Sequence, residues 1–188
     1  GNTGAGLAVA AGVDSIEHAV YLTDDLIGQM AEQGTFYVPT VWWYGRKNWR
    51  RDFSLLNRLH RQTFERALRA GIKMAAGTDA DGPEWSPLDA LIYELQGLIA
   101  WGMGEAQALE AATVRGAELL GFESEVGSLA PGRLADLVVV EGDPLSDITT
   151  LKQVALVILE GRIVFNRQVS PLDVKPQALT PLQPRRKM

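Results

Sequence analysis

The sequence predicts an α/β chain built from parallel βα units, on three observations. Short apolar segments at 13–17, 36–38 and 72–76 alternate with helical stretches. Each connection is long enough to hold a crossover helix, which makes successive strands parallel. From about Gly127 the pattern changes to short Val-, Ile- and Leu-rich runs joined by tight turns, the mark of a small separate sheet.

The elements follow in order. Ala5 to Ala11 is small, apolar and helical in character, and Gly12 is a C-terminal stop. Val13-Asp14-Ser15-Ile16-Glu17 reads as a strand ending at His18. Thr23 or Asp24 can cap a helix with Leu26, Ile27 and Met30 on one face, closed by Gly34. Phe36-Tyr37-Val38 is a second strand, stopped by Pro39. A long amphipathic helix follows, with Leu55, Leu59, Phe64 and Leu68 inward and Gly71 at its end. Ile72 to Ala76 is a third strand, and Gly77-Thr78-Asp79 comes directly after it. Ser86 with Asp89 forms a capping pattern around Pro87, opening a helix that runs to about Trp101. Two more helical stretches lie between Glu105 and Leu120. The late strands are Ala135–Val140, Val154–Leu159 and Ile163–Phe165, and their composition suits a sheet packed on both faces.

Parallel βα units close either as an open doubly wound sheet or as a barrel. A barrel of eight units takes about 250 residues. With 188 residues and three strands before the pattern changes, the chain is too short for a whole barrel.

Composition narrows the function. A hydrophobic content of 46% supports a real core, and a net charge of −5 argues against a general nucleic-acid binder. No apolar run approaches the about 20 residues that span a bilayer. Without cysteine there are no disulfides and no thiolate ligands. The opening Gly1-Asn2-Thr3-Gly4 reads as mid-protein, so a true N-terminus is expected upstream. The compartment stays undetermined, with the cytoplasm as the default.

Two residues stand where barrel chemistry would place them, at the C-terminal ends of strands. His18 ends the first strand and Asp79 the third. An imidazole and a carboxylate on one face suit a divalent metal, and the carboxylate could also carry a proton. Each has a plainer role: His18 as a hydrogen-bonding residue, Asp79 as a turn or helix cap. His60 lies in an arginine-rich helix and reads as surface or helix packing.

Gly12-Val13-Asp14-Ser15-Ile16-Glu17-His18 resembles a strand of the imidazolonepropionase-like branch of the amidohydrolase superfamily. Met30-Ala31-Glu32-Gln33-Gly34 leading to Val38-Pro39-Thr40 is similar to that branch's next helix and strand. Ala70-Gly71-Ile72-Lys73 through Gly77-Thr78-Asp79-Ala80 resembles its final barrel strand. Glu110-Ala111-Ala112-Thr113, Gly127-Ser128-Leu129-Ala130-Pro131-Gly132 and Gly142-Asp143-Pro144-Leu145 continue the likeness in the same order.

The resemblance implies strands six to eight of a metal-dependent (β/α)₈ TIM barrel, plus part of a small β-sandwich domain. Residues 1–125 would be the barrel part, 126–170 the sandwich strands and 171–188 an extended tail. It implies His18 as a metal ligand, and Asp79 as both metal ligand and catalytic proton carrier. The family's other ligands, a His-x-His, a carboxylated lysine or glutamate and a further histidine, have no counterpart here. Lys73 starts the last strand and is no substitute. The implied cofactor is a divalent metal, Zn²⁺ by preference, as one or two ions in the complete enzyme. The implied reaction is hydrolysis of a carbon–nitrogen bond by metal-activated water, on a small-molecule amide or dipeptide-like substrate; a deaminase uses the same face. The expected partners are the missing N-terminal barrel half or another chain, with a homo-oligomer as an option and no nucleic acid or membrane. The alternative is a non-catalytic fragment, or one half of a split enzyme, acting as an interaction partner. After the second strand, Trp42, Trp43, Tyr44 and Arg46 are candidates for a substrate-binding lid, with aromatics as walls and a cation for a carboxylate. A plain surface loop or a subunit contact is the other reading. In the loop after Asp79 the family often has a glycine at the position of Asp81 and a histidine further on, and neither is present.

Overall fold

The computed structural model describes residues 1–42, 54–80 and 86–168. The extended tail expected over 171–188 lies outside these residues.

Helix α1 (Asn2–Ala10) ends at Gly12, whose φ of 76° suits a residue without Cβ. Strand β1 (Ser15–Glu17) follows. Helix α2 (Asp24–Gln33) is capped by the Thr23 hydroxyl, which accepts the Leu26 N–H at 3.4 Å, and it closes on left-handed Gly34. It buries Leu26, Ile27 and Met30. Strand β2 (Phe36–Val38) is buried throughout and pairs parallel to β1, with Ile16 opposite Tyr37. Parallel pairing with α2 between the strands is the βα unit that the alternation predicts.

Helix α3 (Ser54–Arg69) departs from its expected inward face. Leu55 is 54% exposed, and the buried stripe is His60, Thr63, Phe64 and Ala67. The i, i+3, i+4, i+7 rhythm is kept, with two polar residues in it. The third strand shrinks to one parallel bridge, Met74 beside Tyr37. The Tyr37 N–H donates to the Lys73 carbonyl at 2.9 Å, and the Ala75 N–H to the Tyr37 carbonyl at 3.2 Å. Its tight seat explains the glycine that follows: a Cβ on Gly77 would stand 2.6 Å from Val38 Cγ1.

Helix α4 (Pro87–Ala100) starts as the capping pattern predicts, with the Ser86 hydroxyl accepting the Asp89 N–H. Helices α5 (Glu105–Ala112) and α6 (Val114–Leu120) complete the helical part. One apolar core joins Val9, Met30, Tyr37, Phe64, Leu95 and Leu98.

Strands β3 (Leu137–Val140), β4 (Val154–Leu159) and β5 (Arg162–Asn166) form an antiparallel sheet in that order. A 3₁₀ turn at Ile148–Lys152 ties this sheet to α4: Ile148 is buried and Lys152 pairs with Asp89 at 2.9 Å. The expectation of packing on both faces is not met. Val138 is 62% and Ile163 52% exposed, because no second sheet covers these residues among those described. No helix among the described residues is long and apolar enough to cross a membrane.

Candidate metal centre

The parallel strands bring three loops to one edge, and each supplies one residue to the site. His18 follows β1, Thr40 follows β2, and Asp79 follows the Met74 segment. Their φ values are 61°, 53° and 48°, all in the left-handed region. Side chains there crowd the backbone, most severely in a β-branched residue such as Thr40. Such residues cost about 1–3 kcal/mol each and persist where surrounding contacts enforce them. With Ala19 beside His18, four of the five such non-glycine residues among those described lie within this short arc.

His18 Nε2 and Asp79 Oδ2 are 3.8 Å apart, too far for a hydrogen bond. The side chains are 38% and 59% exposed, so the pair faces outward. His18 is fixed from behind. Its N–H donates to the Val38 carbonyl at 2.8 Å, extending the parallel ladder. Its Nδ1 lies 2.6 Å from Thr40 Oγ1, and that oxygen lies 2.6 Å from the Pro39 carbonyl. Two oxygens so close require a proton between them, and the carbonyl has none to give. The Thr40 hydroxyl therefore donates to Pro39, and His18 Nδ1–H donates to Thr40. In the neutral ring that is the Nδ1–H tautomer, with Nε2 on the side of Asp79.

Below this edge lies a buried polar cluster. The Tyr37 hydroxyl donates to the His18 carbonyl at 3.2 Å and meets His60 Nε2 at 2.9 Å. His60 is fully buried, edge-on to Trp101, so helix packing is its place and the surface is not. Burial pushes its imidazole down to about 4. Glu94 of α4 is equally buried and accepts the N–H groups of Val41 at 3.0 Å and Trp42 at 2.7 Å. Desolvation raises its carboxyl to about 7, against the opposing pull of backbone donors at Trp42, Val41 and Thr40.

Neither Thr40 nor Glu94 was singled out from the sequence. A signal for Glu94 was present: it shares the inward stripe of α4 with Leu91, Leu95 and Leu98, where a carboxylate is expensive without partners. Thr40 carried no such signal, since its role depends on where the two strands end. Among the lid candidates, Trp42 is 8% exposed and joins the interior rather than lining the open cleft. Trp43, Tyr44 and Arg46 lie outside the described residues. Lys73 pairs with Glu118 of α6 and lies over the Phe36 ring, away from His18.

A cleft of about 530 Å³ opens beside His18, between Gly4, Ala5 and Ala8 of α1 and the chain from Ser15 to Tyr21. Among the described residues no group of three or more His, Asp or Glu side chains gathers as a metal shell. His18 and Asp79 are two suitable donors, one imidazole and one carboxylate, for a site that usually takes three or more.

The amidohydrolase family model matches residues 2–164. The chain is 30% identical over 169 residues to imidazolonepropionase of Symbiobacterium thermophilum, covering 87% of this chain and 37% of that protein. A crystal structure of a Xaa-Pro dipeptidase with methionine in its active site superposes with a TM-score of 0.75 at 33% identity, over 87% of this chain and 42% of that one. Aspergillus niger ochratoxinase gives a TM-score of 0.78 at 26% identity, over 93% and 42%. The chain thus spans less than half the length of the relatives it matches. It belongs to the amidohydrolase family, within the branch that holds the imidazolonepropionases.

Proposed function

We propose that this chain forms part of a divalent-metal amidohydrolase that cleaves a carbon–nitrogen bond in a small amide or dipeptide-like molecule. The observation that carries the reading is the convergence of His18 Nε2 and Asp79 Oδ2 to 3.8 Å from the loops on either side of the one after β2. Two ligands held at about 2.1 Å by one tetrahedral ion lie about 3.4 Å apart, so a movement of a few tenths of an ångström would let both reach it. On this reading β1, β2 and the Met74 segment are the sixth, seventh and eighth strands of a (β/α)₈ barrel.

His18 and Asp79 would then hold the metal, for which Zn²⁺ fits the mixed nitrogen and oxygen donors. Such an ion would polarise the scissile carbonyl and make water a better nucleophile near neutral pH. The chain's own residues supply the rest. Asp79 would take a proton from the attacking water and deliver it to the leaving nitrogen. Thr40, which accepts from Nδ1, orients the His18 ring so that Nε2 would face the ion. Trp43, Tyr44 and Arg46 continue directly from the Thr40–Trp42 turn, which supports their candidacy for substrate contact. The dipeptidase and imidazolonepropionase relatives support a small-molecule substrate.

We further propose that the remaining ligands come from strands outside this chain, on a longer polypeptide or a second one. β1 is paired on one edge only among the described residues, beside the cleft. Two ligands would hold zinc weakly. The test compares the 188-residue chain alone with the chain joined to upstream barrel strands, on a panel of dipeptides and aryl amides. Turnover and tight zinc are expected only in the joined protein, and His18→Ala should strip its metal. Tight stoichiometric zinc in the chain alone would refute the shared site. Full metal and full rate in His18→Ala would refute the ligand assignment.

A further inference from the structure

We propose that Glu94 is a positioning residue for this site, fixing the tautomer and aim of His18 through the Thr40 turn. The inference rests on the reading of His18 as a metal ligand, but its first test does not. Three observations carry it. Glu94 is fully buried in α4, yet both its oxygens are spent on the backbone N–H groups of Val41 and Trp42. These N–H groups belong to the helical residues Val41 and Trp42 that follow Thr40, and a carboxylate at that end satisfies donors that a helix start leaves over. Thr40 needs the support: it is β-branched at a φ of 53°, and its hydroxyl accepts from His18 Nδ1 at 2.6 Å. Finally, α4 is shaped to come this close, since a Cβ on Gly97, one turn beyond Glu94, would stand 2.6 Å from Val41 Cγ2.

The chain of contacts is therefore short. Glu94 pins the turn, the turn holds Thr40 in a conformation it would not otherwise keep, and Thr40 takes the Nδ1 proton of His18. Loosening the first link should let the imidazole relax toward the Nε2–H tautomer, whose lone pair faces away from Asp79.

The chain has only two histidines, so the complete metal-free protein with ¹⁵N-histidine confined to this chain by segmental labelling reports these two rings. Above the imidazole titration range, the wild-type His18 signal should show a protonated Nδ1. Glu94→Gln replaces one acceptor oxygen with an NH₂ that faces a backbone N–H, and Thr40→Val removes the hydroxyl. Both should shift His18 toward the Nε2–H tautomer, while Thr40→Ser, which restores the hydroxyl, should keep the wild-type pattern. The His60 signal serves as the folding control. If Glu94→Gln loses it, Glu94→Asp, which draws the carboxylate back by one methylene, takes its place with the same expectation. An unchanged His18 tautomer in a folded Glu94 variant overturns the proposal.

A second arm measures Zn²⁺ affinity by chelator competition. Outer partners of a metal-bound histidine are worth about 10–100-fold in affinity. Thr40→Val should fall in that range and Glu94→Gln at or below its lower end. The double variant should be no weaker than Thr40→Val, because one acts through the other. Losses that multiply would overturn the proposed route. If His18→Ala leaves zinc affinity unchanged, the ligand reading fails, while the tautomer shift still decides whether Glu94 positions His18.

Discussion

Glu94 and His60 are both fully buried, and their effects on stability oppose each other. Burial raises the Glu94 carboxyl from 4.5 to about 7 and lowers the His60 imidazole from 6.5 to about 4. Between pH 4.5 and 7 the folded protein holds the Glu94 proton more tightly than the unfolded chain does. Its contribution is thus fully present below pH 4.5 and is lost as pH rises through 7. His60 runs the other way: its contribution is present above pH 6.5 and is lost as pH falls through 4. At about 1.36 kcal/mol per pH unit, each amounts to about 3 kcal/mol across its window. Where the windows overlap, the two slopes cancel. Glu94→Gln removes one of them and leaves the other. We expect the stability of Glu94→Gln, minus that of wild type, to rise by about 3 kcal/mol from pH 4.5 to pH 7. Urea denaturation at a series of pH values reads this directly, and taking the difference removes the titration of surface carboxylates common to both proteins. A difference that stays flat across the window would refute the assignment of Glu94 as a buried, proton-retaining carboxylate.

Other perturbations probe the remaining links. Asp79→Asn in the complete enzyme should keep a substantial share of the metal while kcat falls by about 10²–10⁴-fold, measured by elemental analysis beside a pH–rate profile. Near-wild-type activity would leave Asp79 as a turn residue. Tyr37→Phe deletes the hydroxyl shared by the His18 carbonyl and His60, and should cost about 1–3 kcal/mol in denaturation experiments by stranding buried polar atoms. Gly97→Ala should cost about 1–3 kcal/mol by forcing a methyl against Val41, whereas alanine at Gly28, inside α2 with nothing within 4 Å of the Cβ, should not destabilise.

Much of the framework could be read from local chemistry. Thr23 as a cap, Gly34 as a left-handed stop, and Ser86 with Pro87 as a helix start each act within one turn of chain, and each stands as expected. The parallel order also followed, because the alternation of strand and crossover is itself a local pattern. The juxtaposition of His18 and Asp79 could be anticipated for the same reason: strand ends are visible in sequence, and the two side chains stand 3.8 Å apart. What could not be read depends on contacts between distant segments. Thr40 matters because β2 ends level with β1, and Glu94 because α4 crosses beneath the turn 52 and 53 residues away. His60 read as surface or helix packing among arginines, and Phe64 and Ala67, which set the inward face of α3, carry it inside. The late strands misled in a different way. Their Val and Ile runs suit two covered faces, but covering them takes a second layer beyond β3 to β5.

If His18 and Asp79 are ligands, they face one ion. Anomalous diffraction at the zinc edge from crystals of the complete protein measures that position directly. The expected result is a peak within about 2.0–2.2 Å of both His18 Nε2 and an Asp79 carboxylate oxygen, with Thr40 still in contact with His18 Nδ1. A fully occupied zinc peak that neither residue touches, in a catalytically active crystal, would contradict the account at its centre.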